Sequence, residues 1–464
     1  MIRQLFAKKD LTNKFDESSI QLEKTLSAKD LIFMGLGVII GAGIFITPGI
    51  IAANNAGPGV MFTYILAAIV CILVAFCYSE FSSAIPLSGS AYTYVYSVFG
   101  ELTAWIVGWA IFSEYLFAES SVAVSWSAYL QNFLSGFGIK LPAALQSAYG
   151  AGGTTTGRFD ILAFTIVFLV TILLLQGLKE SVTINKIMVY IKVFIIILFI
   201  VVAIFYVKPS NFTPLLPFGA SGLGQGTSVA FFAFIGFDII STASEEVKNP
   251  GRDMPIGIIS SLLISALLYS LMAFVLVGAV HYTQLNVADP VSLALRIIHQ
   301  NWAAGLISLC AVLGMTTTLI VILYGGTRMF FAISRDGLLP NKLNNLNKNN
   351  VPTYSTIIFG LLAGLVAGLL PIDKLTELVN IGALLGFAAV SIGVIPLRRS
   401  ENTKYLNPAF KTPGYPIVPI ISFLLCIYLM LNLQTFTWIA FGLWLLLGLI
   451  IYICYGYKNS KLHK

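Results

Sequence analysis

The chain has 464 residues, 57% of them hydrophobic and only 10% charged. A soluble domain carries roughly 25% charged residues, so this composition excludes a soluble protein and points to an all-α integral membrane protein. The formal net charge is +7, and where the cations fall decides what it means.

Residues 1–30 are polar and mixed in charge, without the cationic start and short apolar core of a removable signal peptide. They read as a cytoplasmic segment. Apolar stretches then recur to the far end, each long enough to cross a hydrocarbon core about 30 Å thick. Spans are predicted at 31–54, 59–84, 91–134 (long enough to include an interfacial extension), 160–177 and 183–206. A second set follows at 222–244, 255–280, 302–334, 353–371 and 374–397, and two more at 415–433 and 435–456 precede the tail 457–464. Turn-rich breaks such as "NNAGPG" (54–59) and "NPAFKTPGYP" (407–416) separate them.

With the amino terminus inside, 21 of the 27 Lys and Arg fall in cytoplasmic segments and five in outer loops. That bias fits the positive-inside rule, places both termini in the cytoplasm and explains the basic balance without nucleic acid. The expected surroundings are the lipid bilayer of the cell membrane. Five cysteines lie in apolar segments with no framework spacing and no CxxC, so no disulfide scaffold, metal site or other cofactor is expected.

The first span contains "GLGVIIGAGIF" (35–45), with Gly35, Gly37, Gly41 and Gly43 near its middle. Each interior glycine costs a helix roughly 1 kcal/mol relative to alanine. Five spans later, "GQGTSVAFFAFIGFDIISTASEEVKNP" (224–250) carries a small-residue stretch centred on Ala233 to Gly236. Helix interruptions in hydrocarbon are tolerated only where they line a protein-enclosed cavity. Matched interruptions in two halves point to a transporter's binding site. An odd number of spans per half turns the second half over, so 31–206 and 222–397 are expected to form a five-plus-five inverted repeat with discontinuous helices 1 and 6. An unwound centre opens N–H groups at one half-helix end and C=O groups at the other, which suits the carboxylate and ammonium of an amino acid. The competing reading is close helix packing, for which Gly37 and Gly41 have the small-xxx-small spacing. "GLGVIIG" is no dinucleotide fingerprint, since no strand or soluble βαβ unit surrounds it.

At these residues the chain resembles the amino acid–polyamine–organocation transporter superfamily, and most of all bacterial members of its cationic amino acid transporter family. The matching stretches are "GVIIGAGIF" (37–45), "FFAFIGFDIISTASEEVKNPGRDMPIGI" (231–258) and "SRDGLLP" (334–340). The resemblance implies a carboxylate site on the N–H groups of Ala42 and Gly43, beside Ile40 and Gly41 at the break. It implies an ammonium site on the carbonyls of Ile39, Phe232, Ala233 and Ile235. Where the family often has a hydroxyl residue between the two glycines, this chain has Ala42, which leaves the carboxylate to the backbone. The expected side-chain lining is Ile39, Phe231, Phe234, Ile235 and Met315, which suits a neutral aliphatic or branched-chain amino acid.

Charges inside the spans cost about 2.5–3.5 kcal/mol each at the helix centre and are functional candidates. Lys192 lies near the middle of span 5, about 9 Å of helix rise from Lys186. In the family a span-5 lysine takes the place of a sodium ion, which implies proton coupling. Its expected partners are carbonyls near Gly37 to Ile40 and the hydroxyls of Thr316 or Thr317. Glu114 divides between a pocket-side acid and a structural one, Glu119 is expected to bond a neighbouring helix, and Asp238 to tether the second half of helix 6. Glu245, Glu246, Lys248, Arg252 and Asp253 are expected to form a cytoplasmic ion-pair network.

No HExxH, no GxSxG with a credible histidine and no nucleotide-binding GKT or GKS loop is present, so neither an intramembrane enzyme nor a primary pump is expected. The leading reading is a secondary transporter of amino acid and proton. Cationic substrates, proton-independent exchange and a channel stay open as alternatives.

Overall fold

The computed structural model describes residues 26–85, 90–151, 155–177, 182–242, 247–287, 289–348, 351–399 and 408–461. Among these residues every regular element is helical, with only isolated bridges such as Leu26 to Val247. Seven helical stretches are long and apolar enough to cross a membrane, and three shorter apolar helices accompany them. A helix suits hydrocarbon because it pairs each backbone group within its own segment.

The first apolar segment is two helices, α1 (Ala28–Ile39) and α2 (Ala42–Ile51), interrupted at Ile40 and Gly41. Next comes α3 (Val60–Ala84). The segment expected as one span over 91–134 is split into α4 (Ser90–Phe99) and α5 (Glu101–Ser135). The hinge is Gly100, at φ 92°, a left-handed conformation that a side chain would resist. Glu101 opens α5 and accepts hydrogen bonds from Tyr96, Tyr452 and Ser460, which ties this corner to the end of the chain.

Beyond α6 (Ile161–Leu175) and α7 (Val182–Ala203), the sixth segment is broken into α8 (Gly219–Ala230) and the short α9 (Ile239–Thr242). Then come α10 (Pro250–Ala279), α11 (Pro290–Ile297), α12 (Asn301–Arg335), α13 (Thr353–Leu369), α14 (Ile372–Arg399), α15 (Ile417–Leu431) and α16 (Thr435–Ile451). The pattern of spans did not foretell α11, which is held by Arg296 donating to Asn132 at 2.6 Å and to Asp289 at 2.9 Å. Of the expected ion-pair network, Glu245 and Glu246 lie outside the described residues, while Lys248, Arg252 and Asp253 lie within them, around the start of α10.

α10 packs on α1 and α3, while α12 and α14 pack on α5. Two polar rivets join distant parts of the chain. Trp109 of α5 and Trp444 of α16 stack at 4.9 Å and donate to each other's backbone carbonyls at 2.8 and 3.0 Å. Glu80, near the end of α3, is fully buried and accepts two bonds from Arg398 of α14, at 2.6 and 2.8 Å, and one from the Thr412 N–H. Removing the cation would leave that carboxylate buried and unpaired. Arg398→Met should therefore cost on the order of 3 kcal/mol of stability. Thermal unfolding in detergent checks this, and adding Glu80→Gln should recover most of the loss.

Candidate functional site

Helix 1 breaks because its last turn closes early. Ile40 sits at φ −75°, ψ 76°, and the Gly41 N–H turns back to the Ile39 carbonyl at 2.8 Å. The chain restarts as a helix at Ala42, whose first-turn N–H groups have no intrahelical acceptor. In helix 6 a single tight turn, Phe231–Phe234, leads to an extended Ile235 (φ −60°, ψ 143°) and to Gly236 at φ 108°. Asp238 follows, and its carboxylate accepts the Tyr115 hydroxyl at 3.1 Å, which tethers the start of α9 to α5.

The two breaks touch. A Cβ at Gly43 would lie 2.6 Å from the Ala233 Cα, and one at Gly236 would lie 2.3 Å from the Val38 side chain. Glycine at these two positions is a condition of the contact. Between the breaks is a cavity of about 30 Å³, room for a few waters at most. Helix 1 supplies Val38, Ile39, Gly41, Ala42 and Gly43 to its wall; helix 6 supplies Phe232, Ile235, Gly236 and Ile239. α5 closes it with Tyr115, Ala118 and Val122, and α12 with Thr318 and Ile322.

Of the candidate site residues read from the sequence, Ile39, Gly41, Ala42, Gly43, Phe232 and Ile235 line this one cavity. Ile40, Phe231, Ala233, Phe234, Glu114 and Met315 do not line it. Phe231 is turned edge-on to Phe387, Phe234 packs on Tyr64 and Tyr269, and Ala233 is taken up by its contact with Gly43. Met315 is buried one turn short of Thr318 on α12. Glu114 stands one residue from Tyr115, where α5 lies against Gly382 of α14. Neither its carboxylate nor that of Glu119 has a hydrogen-bond partner among the described residues, so the bond expected of Glu119 to a neighbouring helix is not made there.

Lys192 is buried in α7, and its Nζ donates to the Gly37 carbonyl at 2.6 Å and to Thr318 Oγ1 at 2.9 Å. Its stem lies over Gly314, whose missing side chain makes room for it. The hydroxyl partner is therefore Thr318, and Thr316 and Thr317 point elsewhere. Thr316 donates to the Val312 carbonyl and accepts the Trp126 indole, and Thr317 donates to the Gly314 carbonyl. Helical phase separates the three, since successive residues turn by about 100°. Val38, Tyr115, Ala118, Val122, Gly236, Ile239, Thr318 and Ile322 are wall residues that sequence reasoning missed. The i, i+3, i+7 spacing of Tyr115, Ala118 and Val122 marks one helix face, but α5 buries apolar and polar residues alike on its other faces, such as Phe112 and Ser120.

Residues 26–453 match the model of a family described as amino acid permease. The chain belongs to the amino acid permease family. It is 46% identical to the branched-chain amino acid permease BcaP of Bacillus subtilis, over 99% of both chains. It is 44% identical to the methylthioribose transporter of the same organism, again over 99% of both. The Arabidopsis thaliana vacuolar cationic amino acid transporter 4 is 38% identical, over 82% of this chain and 64% of that one. This permease is accordingly a multi-pass membrane transporter of amino acids and not an enzyme.

A side chain at Gly43 has to displace the Ala233 backbone, and with it the second break. Gly43→Val should bring uptake to background while the protein still inserts and elutes as a single species from a sizing column. Uptake near the wild-type level would contradict the contact described above.

Proposed function

We propose that the permease imports neutral aliphatic or branched-chain L-amino acids together with a proton, by alternating access across the cell membrane. The observation that carries this reading is the pair of broken helices meeting over one apolar cavity. The substrate carboxylate is received by the open N–H groups of Ala42 and Gly43, where the positive end of a half-helix favours an anion. Its ammonium is directed to the Ile39 carbonyl of helix 1 and to helix 6, around Phe232 to Ile235. The side chain lies against Ala118, Val122, Ile239 and Ile322, a wall with no carboxylate to pair a guanidinium. A cavity this small has to widen to admit an amino acid, and the pair of broken helices tilting against α5 and α12 provides that motion.

In this scheme the helices form twelve spans, with spans 1–5 and 6–10 as an inverted repeat and both termini in the cytoplasm. Support comes from the interruptions at corresponding places and from the distribution of Lys and Arg. Lys192 carries the proton. As an ammonium it braces the Gly37 carbonyl of helix 1 against Thr318 in the cavity wall, much as a bound cation would. Losing its proton to the cytoplasm weakens that brace and favours release.

The likeness to a methylthioribose transporter favours a second reading, in which a neutral sugar thioether fills the same cavity. Competition separates the possibilities. Unlabelled valine and isoleucine should displace labelled leucine more effectively than arginine or methylthioribose; the opposite order would replace the substrate assignment. Lys192→Ala should abolish leucine accumulation driven by an imposed pH gradient without sodium. If accumulation persists, the proton is carried elsewhere, and Glu114 is the next residue to replace.

A further inference from the structure

Behind the cavity, outside its lining, Tyr269 of α10 reaches the break in helix 1. Its hydroxyl donates to the Ile39 carbonyl at 2.7 Å. The ring is fully buried, set edge-on to Tyr64 of α3 at 5.8 Å and against Phe234 of the second break at 5.3 Å. On the other side of the break, Thr47 donates to the Gly43 carbonyl at 2.7 Å and lies 2.6 Å from the Tyr64 hydroxyl. Because the Thr47 proton is already given to Gly43, Tyr64 is the donor in that pair. Tyr269 of α10 thus holds the first half-helix by its Ile39 carbonyl, and Tyr64 of α3 holds the second through the Thr47 hydroxyl.

The Ile39 oxygen already has two donors, the Tyr269 hydroxyl and the Gly41 N–H. A carbonyl offers two lone pairs, so an ammonium reaches this oxygen only by displacing one of them. The Gly41 N–H is fixed by the turn; the tyrosine hydroxyl can rotate away. We propose that Tyr269 is a positioning residue that takes the place of the substrate ammonium on the Ile39 carbonyl while the carrier is empty. The proposal rests on the reading of the cavity as the amino acid site.

An empty carrier must bring its unwound backbone back across the membrane with no substrate to satisfy it. Leaving a buried carbonyl short of a donor costs free energy comparable to a lost hydrogen bond. Tyr269 removes that cost from the return step. Exchange of one substrate molecule for another never passes through the empty state, so it does not depend on the hydroxyl.

The test uses Tyr269→Phe, which keeps the ring packing, and radiolabelled leucine in proteoliposomes. Counterflow is measured at equal pH on both sides, and net uptake is measured into empty liposomes under a pH gradient. Counterflow should stay within about twofold of wild type while net uptake falls about tenfold, the size of effect one lost hydrogen bond produces. Tyr64→Phe, which leaves the Ile39 carbonyl untouched, should keep the wild-type ratio of the two rates. Parallel loss of both rates in Tyr269→Phe, no loss of either, or an equal change of ratio in Tyr64→Phe would each overturn the proposal. If wild-type protein gives no leucine counterflow, the assignment of the cavity falls first, and this proposal with it.

Discussion

A backbone polar group in the membrane interior must have a partner, and the architecture around helix 1 answers that demand. Interrupting the helix at Ile40 and Gly41 exposes peptide groups that its own turns no longer satisfy. Two helices supply bonds to its carbonyls: Lys192 of α7 serves Gly37 and Tyr269 of α10 serves Ile39. Tyr64 of α3 holds the second half through the hydroxyl of Thr47, which itself bonds back to Gly43 within α2. Thr318 of α12 joins through Lys192. The gathering of α3, α7, α10 and α12 around this point is the structural counterpart of the break.

The same constraint shapes the second interruption. Gly236 takes a conformation that a side chain resists, and its bare Cα lets Val38 approach. Gly43 plays the matching part against Ala233. Because each break is fitted to the other at two contacts, helix 1 and helix 6 cannot shift far separately. Alternating access in the proposed cycle then involves the pair as one body, with α5 and α12 as the surfaces it moves against.

How much of this could be read from the sequence follows from which features hydrocarbon penalises. Four glycines in a helix and a lysine in a span are costly enough to stand out, and both breaks and Lys192 were legible on that ground. The cavity wall was not. In a soluble helix, polar residues mark the face turned away from the core, but α5 and α12 also bury polar residues against protein, among them Glu114, Ser120, Ser308 and Thr327, so polarity does not single out the cavity face. The facing of Ala118, Val122 and Ile322 therefore leaves no contrast to detect. "TTT" at 316–318 shows the difficulty in miniature: of three identical side chains, Thr316 meets the Trp126 indole, Thr317 bonds back to Gly314 and Thr318 takes up Lys192, a difference set by phase. The split at Gly100 was hidden for a similar reason, since one glycine between two apolar runs does not announce a corner.

Thr318 is held by Lys192 on one side and forms part of the cavity wall on the other. In the proposed cycle, selectivity and energisation therefore share an amino acid. A library that diversifies this position in search of new cargo would also alter how strongly the carrier is driven, and winners chosen for uptake would confound the two traits. Ala118 and Val122, with no hydrogen-bonding side chain, offer the cleaner route by which such a permease can change diet without changing its engine.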